Sequence, residues 1–501
     1  MIKLYVIGLS ILNQALKSYL KYYRDCCRLY FCKKICNKAK IDKLEKNCKI
    51  RFKQFNEYKK DFIGLIAFVP KCRHWLNSKE FKQKYLNTKH PYPPLFNPND
   101  MECKNINANL AYYLNLPLPQ NYEFIYITNG SSASAAANRW FKELGFLHAT
   151  AQYRAKPTYI INYDFLYSRV NKNYILAFAN EITIDSDAPL LINSLSKKVP
   201  LFYIARDPIG RIKHALNHIE DVDTITSVMK RFNLTCNVEK LFPKLTYLGG
   251  GNKPSFIFLQ QFQKNYNYLY TKLITDTIFK NLQDKISSIY CVEFDDLSKD
   301  KAFDTYCKFA DKFGFERPQN KEVFSNYLNP NTNALSILPV TLYVHPDDLD
   351  KTNECLSTLK KNGGFNITIT YFRLITNDEL EKNIDINEDF GGIIINDTRI
   401  FALIPKDEFS NFKSNEKLYE ATQKFLRCYF DTFKNQVNTA QQNAISEKQI
   451  IEFLRSNKEC RRFIKDLLDS ELNYIKTHHP KFIQKWKYYL EFESLCKELD
   501  R

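Results

Sequence analysis

The chain has 501 residues, too many for a single compact core, so about two or three domains are expected. Its 44% apolar and 26% charged residues are typical of a folded protein and exclude general disorder. The net charge of +18 indicates anionic partners, but residues 1–60 hold sixteen Lys and Arg against four Asp and Glu. The rest is only mildly basic, which excludes a protein that binds nucleic acid over its whole surface.

The first 60 residues predict a basic helical region. Between residues 14 and 58 apolar side chains recur at the spacing of an amphipathic helix, with Lys and Arg between them. The side chains that carry this period are Leu16, Leu20, Tyr23, Cys27, Tyr30 and Phe31. Two interpretations stay open, a helix docked on its own protein or peripheral contact of residues 1–60 with an anionic membrane.

The cysteines and the N-terminus bear on the compartment. Fourteen Cys in a chain this long are not typical of a secreted disulfide scaffold. Five lie close together in the N-terminal region, without the paired spacing of a zinc site: Cys26, Cys27, Cys32, Cys36 and Cys48. The apolar segment Leu4–Leu12 is too short to span a bilayer. We therefore expect reduced thiols in a cytoplasmic protein, with any membrane contact peripheral and at the inner face.

The middle of the chain predicts an α/β fold. Residues 61–120, rich in Pro and aromatics, predict an extended lead-in. In residues 121–329 strands and helices alternate, which predicts a mainly parallel sheet covered by helices. The predicted strands are Glu123–Thr128, Thr158–Tyr163, Ile175–Ile182, Pro200–Ala205 and Ser288–Phe294, and the predicted helices are Ser134–Gly145, Asp207–His218, Ser255–Leu282 and Lys301–Phe313.

Two further regions follow. Residues 330–413 predict a small α+β unit, and residues 414–501 predict a helical C-terminal region. The α+β unit is expected to contain strands at Val340–Val344, Asn366–Phe372, Gly392–Asn396 and Ile400–Ile404 around one helix, Pro346–Lys361.

Two motifs carry the chemistry and a third is structural. After the first strand the small residues Gly130, Ser131, Ser132, Ala133 and Ser134 lead into a helix, the arrangement of a phosphate cradle. A second strand ends at Arg206-Asp207-Pro208, which places a guanidinium where parallel sheets bind nucleotides. In the third motif, at residues 288–315, we interpret Asp295 and Asp296 as turn and cap residues.

In this order and spacing the three motifs resemble the sulfotransferase family, over about 200 residues. The resemblance implies a P-loop-like cradle in which Gly130 to Ser134 hold the 5′-phosphosulfate of 3′-phosphoadenosine 5′-phosphosulfate. It further implies that Arg206 holds the 3′-phosphate, aided by His214 where the family has Ser, and that no metal is needed.

Two departures from the family concern its cations. The position of the family's loop Lys or Arg is Ser131, for which Arg139, Arg154 or Lys156 are candidate substitutes. The family's late Arg-Lys-Gly motif is absent, with only a distant echo at residues 361–364.

The chain also resembles a bacterial capsule-locus family labelled as sugar transferases, some members of which are thought to transfer phosphoramidate to capsular sugars. The resemblances together imply a transferase that moves a sulfuryl or related phosphorus-containing group from a 3′-phosphorylated adenosine or cytidine nucleotide to a glycan hydroxyl, in capsule polysaccharide biosynthesis and without nucleic acid as a partner. A base must accept the proton of that hydroxyl, and our candidate is His148, for which a packing role is the alternative.

Two rival functions remain at this point. Asp185-Ser186-Asp187 follows an apolar strand, like the metal-binding acidic pair of nucleotide-sugar glycosyltransferases, but Asp before a helix is also an ordinary cap. The other rival is a non-catalytic binding or scaffold protein, since a fold alone does not establish an activity.

Overall fold

A computed structural model describes the chain at residues 13–14, 17–26, 38–168, 173–218, 229–242, 246–247, 249, 251–325, 335, 337–350, 354–371, 374–375, 377–387, 389, 393–395 and 398–499. Leu4–Leu12, Cys27, Cys32 and Cys36 therefore lie outside the described residues. The chain forms two compact units: unit 1 comprises Met1–Ile127, Phe146–Phe202 and Phe279–Tyr290, and unit 2 comprises Thr128–Gly145, Tyr203–Ile278 and Cys291–Arg501.

The structure contains helices and strands in nearly every part of the described chain. Residues 17–26 are helical. The labelled helices are α1 (Lys38–Asn77), α2 (Ala108–Tyr113), α3 (Ser134–Glu143), α4 (Ala155–Ser168), α5 (Ala188–Asn193), α6 (Pro208–Leu216), α7 (Ile257–Gln260), α8 (Tyr266–Leu273), α9 (Asp276–Leu282), α10 (Ala302–Phe313), α11 (Lys321–Ser325), α12 (Asn377–Lys382), α13 (Lys406–Ser414), α14 (Glu416–Gln442), α15 (Glu447–Ser456), α16 (Lys458–Glu471), α17 (Asn473–His478), α18 (Pro480–Lys485) and α19 (Lys487–Leu499). The strands are β1 (Phe124–Thr128), β2 (Ile175–Ala179), β3 (Val199–Ala205), β4 (Arg231–Asn233), β5 (Ile286–Glu293), β6 (Val340–Val344), β7 (Phe365–Tyr371), β8 (Asn383–Asp385), β9 (Ile393–Ile395) and β10 (Thr398–Pro405).

An α/β fold with a four-stranded parallel sheet is confirmed. The strand order is β2–β1–β3–β5, and Ile125 and Tyr126 of β1 pair in parallel with Leu201 and Phe202 of β3. Strands β1 and β2 are buried almost throughout, which is why their sequences are continuous apolar runs rather than alternating ones. Because β1 and β3 are parallel neighbours, the loops after them leave the same edge of the sheet.

A second, mixed sheet lies in unit 2. Its order is β4–β6–β7–β10–β8, with β9 also paired to β10. Only β4 and β6 pair in parallel, through Phe232 and Leu342, whereas β6, β7 and β10 are antiparallel. The face that carries Leu342 and Ile367 packs on buried aromatic residues of α14, including Tyr429 and Phe430, in one apolar core.

Several elements differ from the predictions. Thr158–Tyr163, predicted as a strand, lies inside α4, where Tyr159 and Tyr163, four residues apart, stack on one buried face. The predicted helix Ser255–Leu282 is instead α7, α8 and α9, because Ile274 is extended and ends α8. The predicted helix Pro346–Lys361 is only a 3₁₀ turn, Pro346–Leu349, followed by turns, with residues 351–353 outside the described part. Residues 61–77 continue α1 rather than an extended lead-in.

The thiols differ from the prediction at one pair. Cys236 and Cys355 form a disulfide rather than staying reduced. Their segments meet because the buried amide of Asn233 binds both Thr358 and Asp348, at 2.7 and 3.1 Å. Among the described residues, no helix combines the length and the apolar character that crossing a membrane requires.

Candidate functional site

The loop between β1 and α3 has an unusual backbone. Ser131 and Ala133 have φ angles of +72° and +56°, in the left-handed region that non-glycine residues seldom adopt. Left-handed residues within a turn direct neighbouring N–H groups into one concavity. Helix α3 begins directly after Ala133, whose methyl group cannot cap it, so the N–H groups of its first turn are available to an anion.

Lys272 of α8 lies against Gly130 of this loop. A Cβ built on Gly130 would lie 2.9 Å from Lys272 Nζ, so only glycine leaves room for the ammonium in this position. The same ammonium lies 5.3 Å from the centroid of the Tyr268 ring, one turn earlier on α8. Lys272 was not predicted as a site residue, because no motif in the sequence around it distinguishes it from any other lysine in a helix rich in aromatic residues.

Arg206 and His214 both contact Ser131. Arg206 Nη1 donates to the Ser131 carbonyl oxygen, and the guanidinium stacks 4.0 Å from the centroid of the Phe294 ring. His214 Nδ1 lies 3.2 Å from Ser131 Oγ, within hydrogen-bonding distance. The structure thus brings together Gly130, Ser131, Arg206 and His214, four residues that the sequence analysis had singled out.

Charges of both signs lie near Arg206: the Arg211 guanidinium, and the carboxylates of Glu447, Asp207 and Asp295. Burial lowers the pKa of Arg206 to about 10, and the Glu447 carboxylate opposes this shift. Arg206 therefore remains protonated at neutral pH. Glu447 itself lies 3.0 Å from Lys213 Nζ, so part of its charge is balanced by that pair. The Lys272 ammonium and the Arg206 guanidinium, which lie directly against the loop, are the charges that suit it to hold an anion.

Asn129, the residue before Gly130, is held in place by two buried side chains. Arg211, only 2% exposed, donates from Nη2 to Asn129 Oδ1, and Asn129 Nδ2 donates to Tyr203 OH over 3.0 Å. These contacts fix the residue that precedes Gly130. Arg211 was not singled out in the sequence, although it lies five residues after Arg206 on the same strand–helix motif.

Ser132 is the fully buried residue of the loop. Its side chain is 0% exposed, and its hydroxyl has no hydrogen-bond partner among the described residues. A buried hydroxyl left in this way costs about 1 to 3 kcal/mol, so such groups are usually satisfied by a ligand or by water. Ser134 is the first residue of α3.

The acidic residues of the motifs have structural roles. Asp207 caps α6 through Ile209 N–H at 2.9 Å, and its other oxygen accepts Tyr488 N–H at 3.1 Å. Glu293 accepts Asp295 N–H at 2.7 Å and Trp486 Nε1–H at 3.0 Å. Burial raises the pKa of both carboxyls. Asp295 and Asp296 lie in the 3₁₀ turn Phe294–Leu297, as predicted, but the residue that caps this turn is Glu293.

The remaining predicted basic residues have other neighbours. His148, the predicted base, lies in unit 1 with Nδ1 3.0 Å from the carbonyl oxygen of Ala149, and its catalytic role stays a prediction. Arg139 pairs with Glu143 at 3.4 Å. Lys156 donates to Tyr113 OH at 2.8 Å, also in unit 1, and Arg154 is exposed. These contacts of Arg139 and Lys156 are made outside the loop, whereas Lys272 lies against Gly130.

The first residue of the rival function's acidic pair, Asp185, also binds backbone. Asp185 accepts Asp187 N–H at 2.9 Å and Ala155 N–H at 3.3 Å, so both of its oxygens hold the starts of helices. No cluster of three or more His, Cys, Asp or Glu suited to a metal ion occurs within the described ranges. Lys361, in the segment 361–364 that partly matches the family's late Arg-Lys-Gly motif, pairs with Asp347 at 2.5 Å.

Comparison with known proteins gives one match. No curated protein and no solved structure matches the chain. Residues 291–499, which belong to unit 2 and begin after the loop and Arg206, match the model of a family described as "Protein of unknown function (DUF2972)".

Proposed function

We propose that the chain is a transferase that moves a sulfuryl or related phosphorus-containing group, such as phosphoramidate, from a 3′-phosphorylated nucleotide to a hydroxyl of a surface glycan. One observation supports the nucleotide donor in this proposal: Lys272 lies against Gly130, while Arg206 and His214 both contact Ser131, the next residue of the loop. The surface glycan as acceptor rests on the resemblance to the capsule-locus family alone.

Each basic residue has a distinct role in the proposal. Lys272 replaces the cation that the loop sequence lacks and stabilises charge on the oxygen that leaves with the nucleotide. Arg206 and His214 bind the 3′-phosphate. A guanidinium carries five N–H donors, so Arg206 can hold Ser131 and still bind a phosphate.

The 5′-phosphate belongs with the loop itself. The backbone N–H groups at the start of α3 have no side-chain cap, and the buried Ser132 hydroxyl has no partner among the described residues. Both kinds of donor suit phosphate oxygens. The nucleotide supplies the activated group, and the protein supplies the positioning and the charge.

The glycosyltransferase alternative has less support. A donor diphosphate would be bridged by a cation on Asp185 and Asp187. The two backbone contacts of Asp185 give it a sufficient structural reason to be there. A non-catalytic scaffold remains the alternative to be separated by binding.

The test is calorimetric titration with adenosine 3′,5′-bisphosphate and with its cytidine analogue, with and without Mn²⁺. We expect binding of one of them without metal, abolished in Arg206→Ala and retained in the matched control Asp185→Ala. Binding only of a nucleoside diphosphate with Mn²⁺ would favour the glycosyltransferase. A folded protein that binds none of these ligands would favour the scaffold.

We also propose that α1 contacts anionic lipid. Its buried face carries Leu65 and Trp75, whereas Ile63 and Ile66 are 55% and 56% exposed. The same helix carries exposed lysines at Lys46, Lys49, Lys53, Lys59 and Lys60. Exposed apolar residues on a basic helix favour a membrane surface over nucleic acid.

A further inference from the structure

A chain of buried hydrogen bonds connects the loop at Gly130 to the C-terminal helices. Asn129 Nδ2 donates to Tyr203 OH over 3.0 Å, and Tyr203 OH lies 2.8 Å from Thr275 Oγ1. The backbone N–H of Thr275 then donates to Glu471 Oε2 over 2.9 Å. All four residues are at most 4% exposed, so water does not compete for these bonds.

The two ends of this series of hydrogen bonds carry opposite charges. The buried guanidinium of Arg211 binds Asn129 at one end, and the buried carboxylate of Glu471 binds Thr275 at the other. A buried charge is costly unless polar groups compensate it. The neutral side chains between the two charges therefore link them, and removal of either charge leaves the other less well compensated.

Glu471 also fixes the end of the helix that carries Lys272. Besides Thr275, it accepts the backbone N–H of Thr277 at 3.0 Å and the hydroxyl of Thr277 at 2.5 Å. In return Asp276 accepts Tyr474 N–H at the start of α17, with 3.1 Å to each oxygen. The junction between α8 and α9, three residues after Lys272, is thus held by α16 and α17.

We propose that Glu471 is a positioning residue for the phosphate site, acting through Thr275 and Tyr203 on Lys272 and on the loop at Gly130. This inference rests on the proposed function and deepens it. It assigns a role to the C-terminal helices, which hold the cation of the site in place without touching the nucleotide.

The first arm of the test measures nucleotide affinity. Tyr203→Phe removes the hydroxyl that lies between Asn129 and Thr275. Glu471→Gln places an amide N–H against the N–H of Thr275 or Thr277. We expect each variant to bind the preferred bisphosphate about five- to tenfold more weakly, the effect of one lost hydrogen bond. Asp466→Asn, the same kind of exchange at an exposed position of α16, should leave affinity unchanged.

A merely structural role predicts a different pattern. It would lower the melting temperature without changing the affinity of the folded protein, in the wild-type and Lys272→Ala backgrounds alike. We expect instead that Glu471→Gln loses less affinity when Lys272 is already Ala than it does in the wild-type background, because part of its effect acts through that residue. Folded Tyr203→Phe and Glu471→Gln proteins with wild-type affinity would overturn the inference.

The second arm needs no nucleotide. Chemical acylation followed by mass spectrometry reports how tightly each lysine is held. In both variants Lys272 should react about fivefold faster, while the exposed Lys264 serves as the internal control. If the wild type binds neither bisphosphate the proposed function fails, and unchanged labelling of Lys272 would separately refute the positioning role.

Discussion

The Gly130→Ala substitution tests whether the position of the Lys272 ammonium matters for nucleotide binding, because it moves the ammonium without removing it. The added methyl carbon would lie 2.9 Å from Lys272 Nζ, too close for a carbon–nitrogen contact, so the ammonium must move by about 0.5 to 1 Å. Gly130 is outside the left-handed region, and the obstructing atom is the end of a flexible side chain. We therefore expect the unfolding free energy to change by less than about 1 kcal/mol.

The cost in affinity follows from Coulomb's law. With an effective dielectric constant of about 20, opposite unit charges attract by about 4.2 kcal/mol at 4 Å and by about 3.3 kcal/mol at 5 Å. Moving the ammonium by about 1 Å thus weakens nucleotide binding by about 0.8 kcal/mol, or about fourfold in Kd. Lys272→Ala removes the charge-assisted contact altogether, which costs about 1.5 to 3 kcal/mol, or at least about tenfold.

A double-mutant cycle measured by calorimetry checks this reasoning. Gly130→Ala should cost about fourfold in the wild-type background and nothing in the Lys272→Ala background, since there is then no ammonium to displace. Equal losses in both backgrounds would show that the methyl group disturbs the loop itself, and the reasoning from Lys272 would be refuted. Thermal unfolding of each variant controls for folding.

Three further predictions concern stability and membranes. Burial raises the pKa of Asp61 to about 6, so the native state binds its proton more tightly, and this stabilisation, complete below about pH 4, is lost as the pH rises through 6. Asp61→Asn should therefore raise the unfolding free energy in urea by up to about 3 kcal/mol at pH 7 and by little at pH 4; an equal gain at both values would contradict this. Ala133→Gly should stabilise by about 0.5 to 1 kcal/mol because it relieves a left-handed φ, whereas the control Ala135→Gly, inside α3, should destabilise by a similar amount. Ile63→Glu with Ile66→Glu should abolish sedimentation with phosphatidylglycerol vesicles, to which the wild type should bind better than to phosphatidylcholine, and binding that persists would exclude this face.

The sequence predicted best what is encoded locally. Strands β1 and β3 are buried on both faces, so their apolar runs are visible without knowledge of any partner. The small residues after β1 and Arg206 after β3 were found for the same reason, because each is defined by the end of a strand. Helix α4 was missed because its aromatic residues are equally common in strands, and only the four-residue spacing of Tyr159 and Tyr163 distinguishes the two.

Lys272 could not be predicted, because its position depends on contacts distant in sequence. Helix α8 ends where Thr275 turns its N–H toward Glu471, a residue almost two hundred positions later. A single sequence contains no local sign of that bond, and the apolar period through residues 255–282 therefore predicted one long helix. The three candidates for a substitute cation, Arg139, Arg154 and Lys156, were chosen for closeness in sequence, and their role stays a prediction.

The same long-range contacts bear on the region matched by the family of unknown function. Residues 291–499 contain Glu471, Tyr488 and Tyr489, but the partners of these groups, at Thr275 and Asp207, precede the matched region. A fragment limited to the match would leave the Glu471 carboxylate without Thr275 and Thr277, and the start of α19 without the Asp207 cap. Breaking a buried charged contact commonly costs about 3 to 5 kcal/mol, a large part of the stability of a domain. The boundary of the family match and the boundary of a folding unit thus differ in this chain, and the proposed phosphate site depends on residues on both sides of position 291.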